Sequence, residues 1–141
     1  MPGNEEIIRE LYSAADGRSL DTRKLVSMFS EGGYMLDVPS GTKFRGEAIG
    51  ESIAGLASAF PDVHHKLLGV HVAKNVVVVE LALQGTHRGE LVAASRTIAP
   101  TGKTIDVPSC DVFKLEGGKI ASFHCYNTPS AMLRQLGVDV G

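Results

Sequence analysis

The chain has 141 residues, 43% of them hydrophobic and 21% charged, with a net charge of −2 at pH 7. A chain of this length can bury one core without disulfides or metals, so residues 1–141 are expected to form a single domain. The small net charge gives no field to gather nucleic acid or an anionic membrane, and no stretch reaches the roughly 18 apolar residues that span a bilayer.

Asn4 is placed to cap a first helix whose Ile7, Ile8, Leu11, Tyr12 and Ala15 share one face at helical spacing, and Gly17 closes it. The residues ahead of it lack the basic and apolar regions of a signal peptide, which points to the cytoplasm. Ser19 opens a second helical segment through Leu25, Val26, Met28 and Phe29. Gly32-Gly33 breaks the chain before a short strand, Tyr34 to Val38, that stops at Pro39. From Gly46 the helical period returns, with Ala48, Ile49, Ser52, Ile53, Leu56, Ala59 and Phe60 in one stripe that ends at Pro61. Strands follow over Val63 to Ala73 and Val76 to His87, joined by Lys74-Asn75. After an irregular polar stretch from Arg88 to Gly102, Thr104 to Leu115 and Lys119 to Asn127 read as a hairpin around Gly117-Gly118. Thr128-Pro129 starts a last helix with Met132, Leu133 and Leu136 facing inward and Gly137 as its stop. Helices grouped ahead of an antiparallel meander predict an α+β fold. The expected shape is a cone: a curved antiparallel sheet covered by about three N-terminal helices and a short C-terminal helix, around one apolar pocket.

The informative residues are polar groups where alternation predicts apolar ones. In the strand from Thr104 the odd positions Ile105, Val107, Ser109, Phe113 and Leu115 form the buried face, and Asp111 lies among them. A buried carboxylate needs a partner or a raised pKa, and a helix N-terminus or a serine could satisfy it as readily as a functional role could explain it. His87 ends the apolar side of its strand, where a structural or a chemical histidine would fit. Asp37 shares its face with Met35 at a strand end, a position that also suits a solvated carboxylate. Tyr12 falls on the buried stripe of the first helix and by itself reads as core, with its hydroxyl reaching one partner. His64, His65 and His71 form no ligand set with a clear geometry, so no metal is expected. Cys110 and Cys125 match no Cys-x-x-Cys pattern and are expected to be reduced thiols.

Several motifs together resemble the nuclear-transport-factor-two-like superfamily, in particular its SnoaL-like polyketide cyclases and ketosteroid isomerases. They are Phe60-Pro61-Asp62, Gln84-Gly85-Thr86-His87-Arg88-Gly89, the run from Asp111 to Ile120, and Met132-Leu133-Arg134-Gln135-Leu136-Gly137. Ketosteroid isomerases carry a tyrosine in a segment similar to Tyr12-Ser13-Ala14-Ala15. Their base lies in one similar to Leu36-Asp37-Val38-Pro39, and a second acid precedes a hairpin like Asp111-Val112-Phe113. The resemblance implies Asp37 as base, with Tyr12 and a protonated Asp111 holding an oxyanion; a carboxylic acid kept neutral by an apolar site is known from that enzyme. His87 is a SnoaL-like feature. Many SnoaL-like proteins also carry His and Asp on the last strand, where this chain has Phe123-His124-Cys125. The Arg-x-Asp of limonene-epoxide-hydrolase relatives is absent.

The implied activity is proton abstraction next to a carbonyl, serving isomerisation or aldol-type cyclisation, on an apolar carbonyl-bearing small molecule and with no cofactor. The alternative is a non-catalytic binding or dimerisation domain of the same fold. Tyr12, Asp37, His87 and Asp111 are expected to border one pocket. Phe60, Leu83 and Phe123 should wall it, with Cys125 and Asn127 facing in and the Leu91 to Pro100 segment covering the mouth. For the hairpin, a three-residue loop would set Asp111 opposite Phe123, whereas a two-residue loop would set it opposite His124; the first register is preferred because it keeps Ala121, Phe123, Cys125 and Asn127 inward. The apolar outer positions Val76, Val78, Ala82, Cys110, Val112 and Tyr126 predict a homodimer through the sheet.

Overall fold

The computed structural model describes residues 3–93 and 96–139. In chain order it has α1 (Asn4–Ala15), a 3₁₀ turn (Gly17–Ser19), α2 (Thr22–Ser27), β1 (Phe29–Asp37), β2 (Thr42–Arg45) and α3 (Glu47–Ala59). Then come β3 (His64–Ala73), β4 (Val76–Thr86), β5 (Leu91–Ala93), β6 (Arg96–Ile98), β7 (Thr104–Glu116), β8 (Lys119–Tyr126) and α4 (Pro129–Gln135). Six strands make one sheet in the order β2-β1-β8-β7-β4-β3, and β5 and β6 form a separate ribbon. The α+β cone is therefore present, with one pairing that local sequence could not reveal: β1 runs parallel to β8, while the other pairs are antiparallel.

The apolar stripe of α1 holds the helix on the sheet. Ile7, Ile8, Leu11, Tyr12 and Ala15 are all buried with Val77, Val79, Phe113, Leu115 and Ile120 in one core cluster. A second cluster packs Phe60, Val63, Ile105, Val107 and Leu136 at the other end of the sheet.

Several boundaries differ from the sequence expectation. Gly3, not Asn4, is the N-cap of α1. The second helix stops at Ser27, because buried Phe29 pairs with Ile120 of β8 and starts β1; the strand bulges before Tyr34 instead of breaking at Gly32-Gly33. Thr128 makes no capping bond, since its hydroxyl donates to Pro108 O (2.8 Å).

The β7–β8 hairpin follows neither register considered above. Its turn is the two-residue Gly117-Gly118, with φ of 56° and 78°, and Glu116 pairs with Lys119. A bulge at Ala121 then shifts the pairing, so that Leu115 faces Ile120, Phe113 faces Phe123 and Asp111 faces Cys125. The cause is burial. Ile120 and Phe123 are both buried but three residues apart, and strict alternation would expose one of them.

Candidate functional site

One lateral row of the sheet carries the acids. Asp37 pairs with Cys125, Cys125 with Asp111 and Asp111 with Val79. Asp37 and Asp111 therefore point to the same face, two strands and about 10 Å apart along the backbone, with Cys125 between them. That face borders a cavity of about 760 Å³ lined by Tyr12, Asp37, His65, Leu83, Asp111, Phe123, Cys125 and Asn127, with further walls from α3 and α4. Leu91, Val92, Ala93 and Arg96 of the β5–β6 ribbon line it as well; Ala94 and Ser95, within the segment expected to cover the mouth, lie outside the described residues.

Tyr12 reaches the row from α1. Its hydroxyl donates to Asp111 Oδ2 at 2.6 Å, and its ring meets Phe113 edge-on at 6.0 Å between centroids. The partner of the buried acid is thus a phenol rather than a helix terminus or a serine. Burial, reinforced by the Asp111 charge, pushes the Tyr12 pKa far up, so the hydroxyl keeps its proton as a donor. Asp111 is 5% exposed. Burial raises its pKa to about 6, against the hydrogen bond from Tyr12 and the nearby His65, which both lower it. The direction is that of an acid in an apolar site. Cys125, paired with both acids in this row, is half-buried, and desolvation pushes its thiol well up, which keeps it neutral.

Asp37 is held differently. Ser40 Oγ donates to its Oδ2 at 2.5 Å and Asn127 Nδ2 donates to its Oδ1. The turn after β1 and the residue following β8 therefore fix both carboxylate oxygens at the end of the row. Asn127, expected as a wall, is also the group that orients Asp37.

Two expected site residues lie elsewhere. His87 follows the end of β4 and is fully buried at the second core cluster, its ring 5.3 Å from that of Phe60. Its Nδ1 accepts from Thr101 N (3.2 Å), while its backbone bonds Lys103 O and Gly102 N. Neither His87 nor Phe60 lines the cavity. Alternation gave His87 the correct side of the sheet, but its place beyond the strand end puts it in the packed core, where it ties down the connection to β7. Sequence reading passed over His65, which does line the cavity; its place with Val63 and Leu67 on one face of the strand was the available signal.

A second hollow of about 440 Å³ opens near Asp16, Asp62, His64 and Asp106. Asp62 there is committed to Thr86, accepting from its N (2.7 Å) and Oγ1 (2.8 Å). The larger cavity holds the buried, perturbed acid and is the better candidate. No cluster among the described residues could hold a metal ion.

The sequence pattern of the SnoaL-like polyketide cyclases matches residues 7–136. The chain belongs to this family. Solved structures agree on the fold. A candidate SnoaL-like polyketide cyclase from Jannaschia superposes with a TM-score of 0.82 at 22% identity, covering 96% of this chain and 92% of that one. IdmH, a candidate polyketide cyclase from Streptomyces antibioticus, gives 0.80 at 19% identity over 97% and 100%. A ketosteroid isomerase-like protein from Catenulispora acidiphila, solved with trimethylamine, gives 0.76 at 21% identity over 95% and 94%. A comparison with curated proteins finds no match. Among the described residues, no helix of this SnoaL-like protein is long and apolar enough to cross a membrane.

Proposed function

We propose that this SnoaL-like protein is an enzyme that removes a proton next to a carbonyl of a largely apolar small molecule and steers the enolate to isomerisation or aldol-type ring closure. The observation that carries the reading is that Asp37 and the Tyr12–Asp111 pair open into one apolar cavity from the same face of the sheet. Asp37 is the base, its oxygens oriented by Ser40 and Asn127. Tyr12 and Asp111 receive the developing oxyanion. Asp111 is about 6 in the free site, and an approaching negative oxygen raises its proton affinity further, so substrate itself draws Asp111 toward the donor form. Leu83, Phe123 and Cys125 contact the apolar body of the substrate. About 760 Å³ suits a molecule of a few rings, and membership of the cyclase family favours a polyketide-like carbonyl chain. Proton transfer of this kind calls for no cofactor.

The test uses 2-naphthol, whose oxyanion mimics an enolate, and α-hydrogen exchange of 2-tetralone in D₂O as the reaction. Naphthol should bind and weaken by roughly tenfold or more in Tyr12→Phe. Exchange should fall by about 10²-fold or more in Asp37→Asn. Naphthol binding indifferent to Tyr12, with exchange at the buffer rate, refutes the reading; tight binding without exchange would leave a binding module.

The same reading treats residues 1–141 as one functional unit working in the cytoplasm as a homodimer. Val78, Cys110, Val112 and Tyr126 share the outer sheet face, and Tyr126 is 47% exposed. Sedimentation at micromolar concentration should give the dimer mass, and Val112→Lys should give the monomer. A wild-type monomer refutes the assembly.

A further inference from the structure

His65, which lines the cavity, and Asp16, which bonds it from the side of the second hollow, form a second polar unit that the proposed chemistry leaves unused. Asp16 follows the last residue of α1, and the next residue, Gly17, donates its N–H to Val63 O at 2.8 Å. A Cβ on Gly17 would lie 2.1 Å from Pro61 O, so only glycine lets the chain come this close to the start of β3. The clamp sets Asp16 beside two histidines. Its Oδ1 accepts from His65 N (2.9 Å) and His65 Nδ1 (2.7 Å), and its Oδ2 from His64 Nδ1 (2.9 Å).

Partial burial raises the Asp16 pKa, but the hydrogen bonds from the two histidines outweigh it and hold the carboxyl below its usual range. An ionised carboxylate only accepts. Nδ1 of His65 must therefore carry a proton, and Nε2 is the nitrogen left to gain or lose one. The two histidines are delivered differently. The His64 side chain is 57% exposed, whereas that of His65 is 11% exposed and lines the cavity, its ring 5.4 Å from that of Tyr12. Nε2 of His65 has no partner, and it is not sealed in: among the described residues, the buried side-chain polar atom without a partner is His87 Nε2.

Resting on the function proposed above, we infer that His65, oriented by Asp16, is a second catalytic acid–base residue of this cavity and acts on a second oxygen of the substrate. In ring closure, Asp37 takes the α-proton and the enolate carbon attacks a second carbonyl carbon. One carbon–carbon bond forms, the π bond of that carbonyl breaks, and its oxygen becomes an alkoxide. Nε2–H of imidazolium His65 gives the alkoxide its proton and leaves neutral imidazole, and solvent returns the proton from Asp37 to His65. The substrate class is then a dicarbonyl, with one oxygen at Tyr12–Asp111 and the other at His65. Asp16 is a positioning residue.

The experiment separates the two steps on one probe, the diketone 1-phenylhexane-1,5-dione, with α-hydrogen exchange in D₂O reporting enolisation and the cyclic β-hydroxy ketone, separated from the open diketone by chromatography and counted together with any enone it forms by losing water, reporting closure. His65→Asn keeps an amide N–H where Nδ1 bonds Asp16 and removes Nε2. It should slow closure by about 10²-fold and at least tenfold more than it slows exchange, and Asp16→Asn should show the same split to a smaller degree. Equal loss of both activities, or loss of neither, overturns the assignment to His65 while leaving the enolising site intact. A wild-type protein that speeds neither step overturns the function on which the assignment rests. An ¹⁵N titration of the ligand-free ring adds a test that needs no turnover: Nε2 must be the nitrogen that titrates, and an Nε2 protonated throughout refutes the role.

Discussion

Asp111→Asn tests the account of the buried acid most directly. In the folded chain the carboxyl titrates at about 6 rather than 3.8, chiefly because burial penalises its charge. Below pH 3.8 it is neutral in both the folded and unfolded states, and burial costs little. As the pH rises toward 6, the unfolded chain ionises freely while the folded chain resists, so the folded state loses stability across this window and gains none back above it. At about 1.4 kcal/mol per pKa unit, the rise from 3.8 to about 6 amounts to about 3 kcal/mol. The amide has the same shape, does not ionise, and can still accept from the Tyr12 hydroxyl through Oδ1. The variant should therefore match wild type near pH 3.5 and exceed it by about 3 kcal/mol at pH 8. Urea unfolding of both proteins at half-unit pH steps measures the difference, and subtracting the two curves removes the groups they share. A difference that stays flat from pH 4 to pH 8, or a wild type that becomes the more stable as pH rises, would mean that the carboxylate is compensated in the fold. The apolar-burial explanation of Asp111 would then be wrong. A stabilised variant with lower activity is the expected conflict when a costly group is kept for chemistry.

Tyr12→Phe removes the bond that lowers the Asp111 pKa, so the carboxyl should titrate above 6 by carbon-13 NMR; a value unchanged or lower contradicts the 2.6 Å contact. The same variant leaves a buried acceptor unpaired at pH 7 and should lose about 1–3 kcal/mol in urea unfolding. Phe123→Ala removes a ring that packs, tilted, against Phe113 at 4.3 Å between centroids and walls the cavity. It should cost about 3–5 kcal/mol and, by admitting water, move the Asp111 pKa back toward 3.8. An unmoved pKa would show that the ring does not keep that side of the acid dry.

The faces of this fold were legible because strand periodicity is strict. Asp111 among Val107, Phe113 and Leu115 could only point inward, and it is 5% exposed there. Depth along a face was not legible, which is why His87 and Phe60 were expected in the cavity, whereas Phe60 sits in the second core cluster and His87 packs against it. Register was lost for a related reason. The run Ile120-Ala121-Ser122-Phe123 puts two large apolar residues an odd number of positions apart, and only packing decides that a bulge at Ala121 buries both. β2, which is short and mostly exposed, and the parallel β1–β8 pairing left no local pattern to read. His65 was weighed only as a metal ligand, since its neighbour Asp16 lies 49 positions away and no local pattern joins them.

The placement of Asp16 and Tyr12 also explains why α1 matters beyond its share of the core. They lie four residues apart, about one helical turn, at the end of the same helix. One reaches across to β7 and bonds Asp111; the other reaches β3 and bonds His65. Both groups able to carry a proton on this side of the cavity thus take their orientation from a single element. That element is fixed by Ile7, Ile8 and Leu11 packed on the sheet and by the Gly17–Val63 hydrogen bond at its end. A change in the seat of α1 would move both contacts together. The geometry of the polar site is in this sense set by an apolar stripe, and the stripe was visible in the sequence before any polar residue could be assigned a partner.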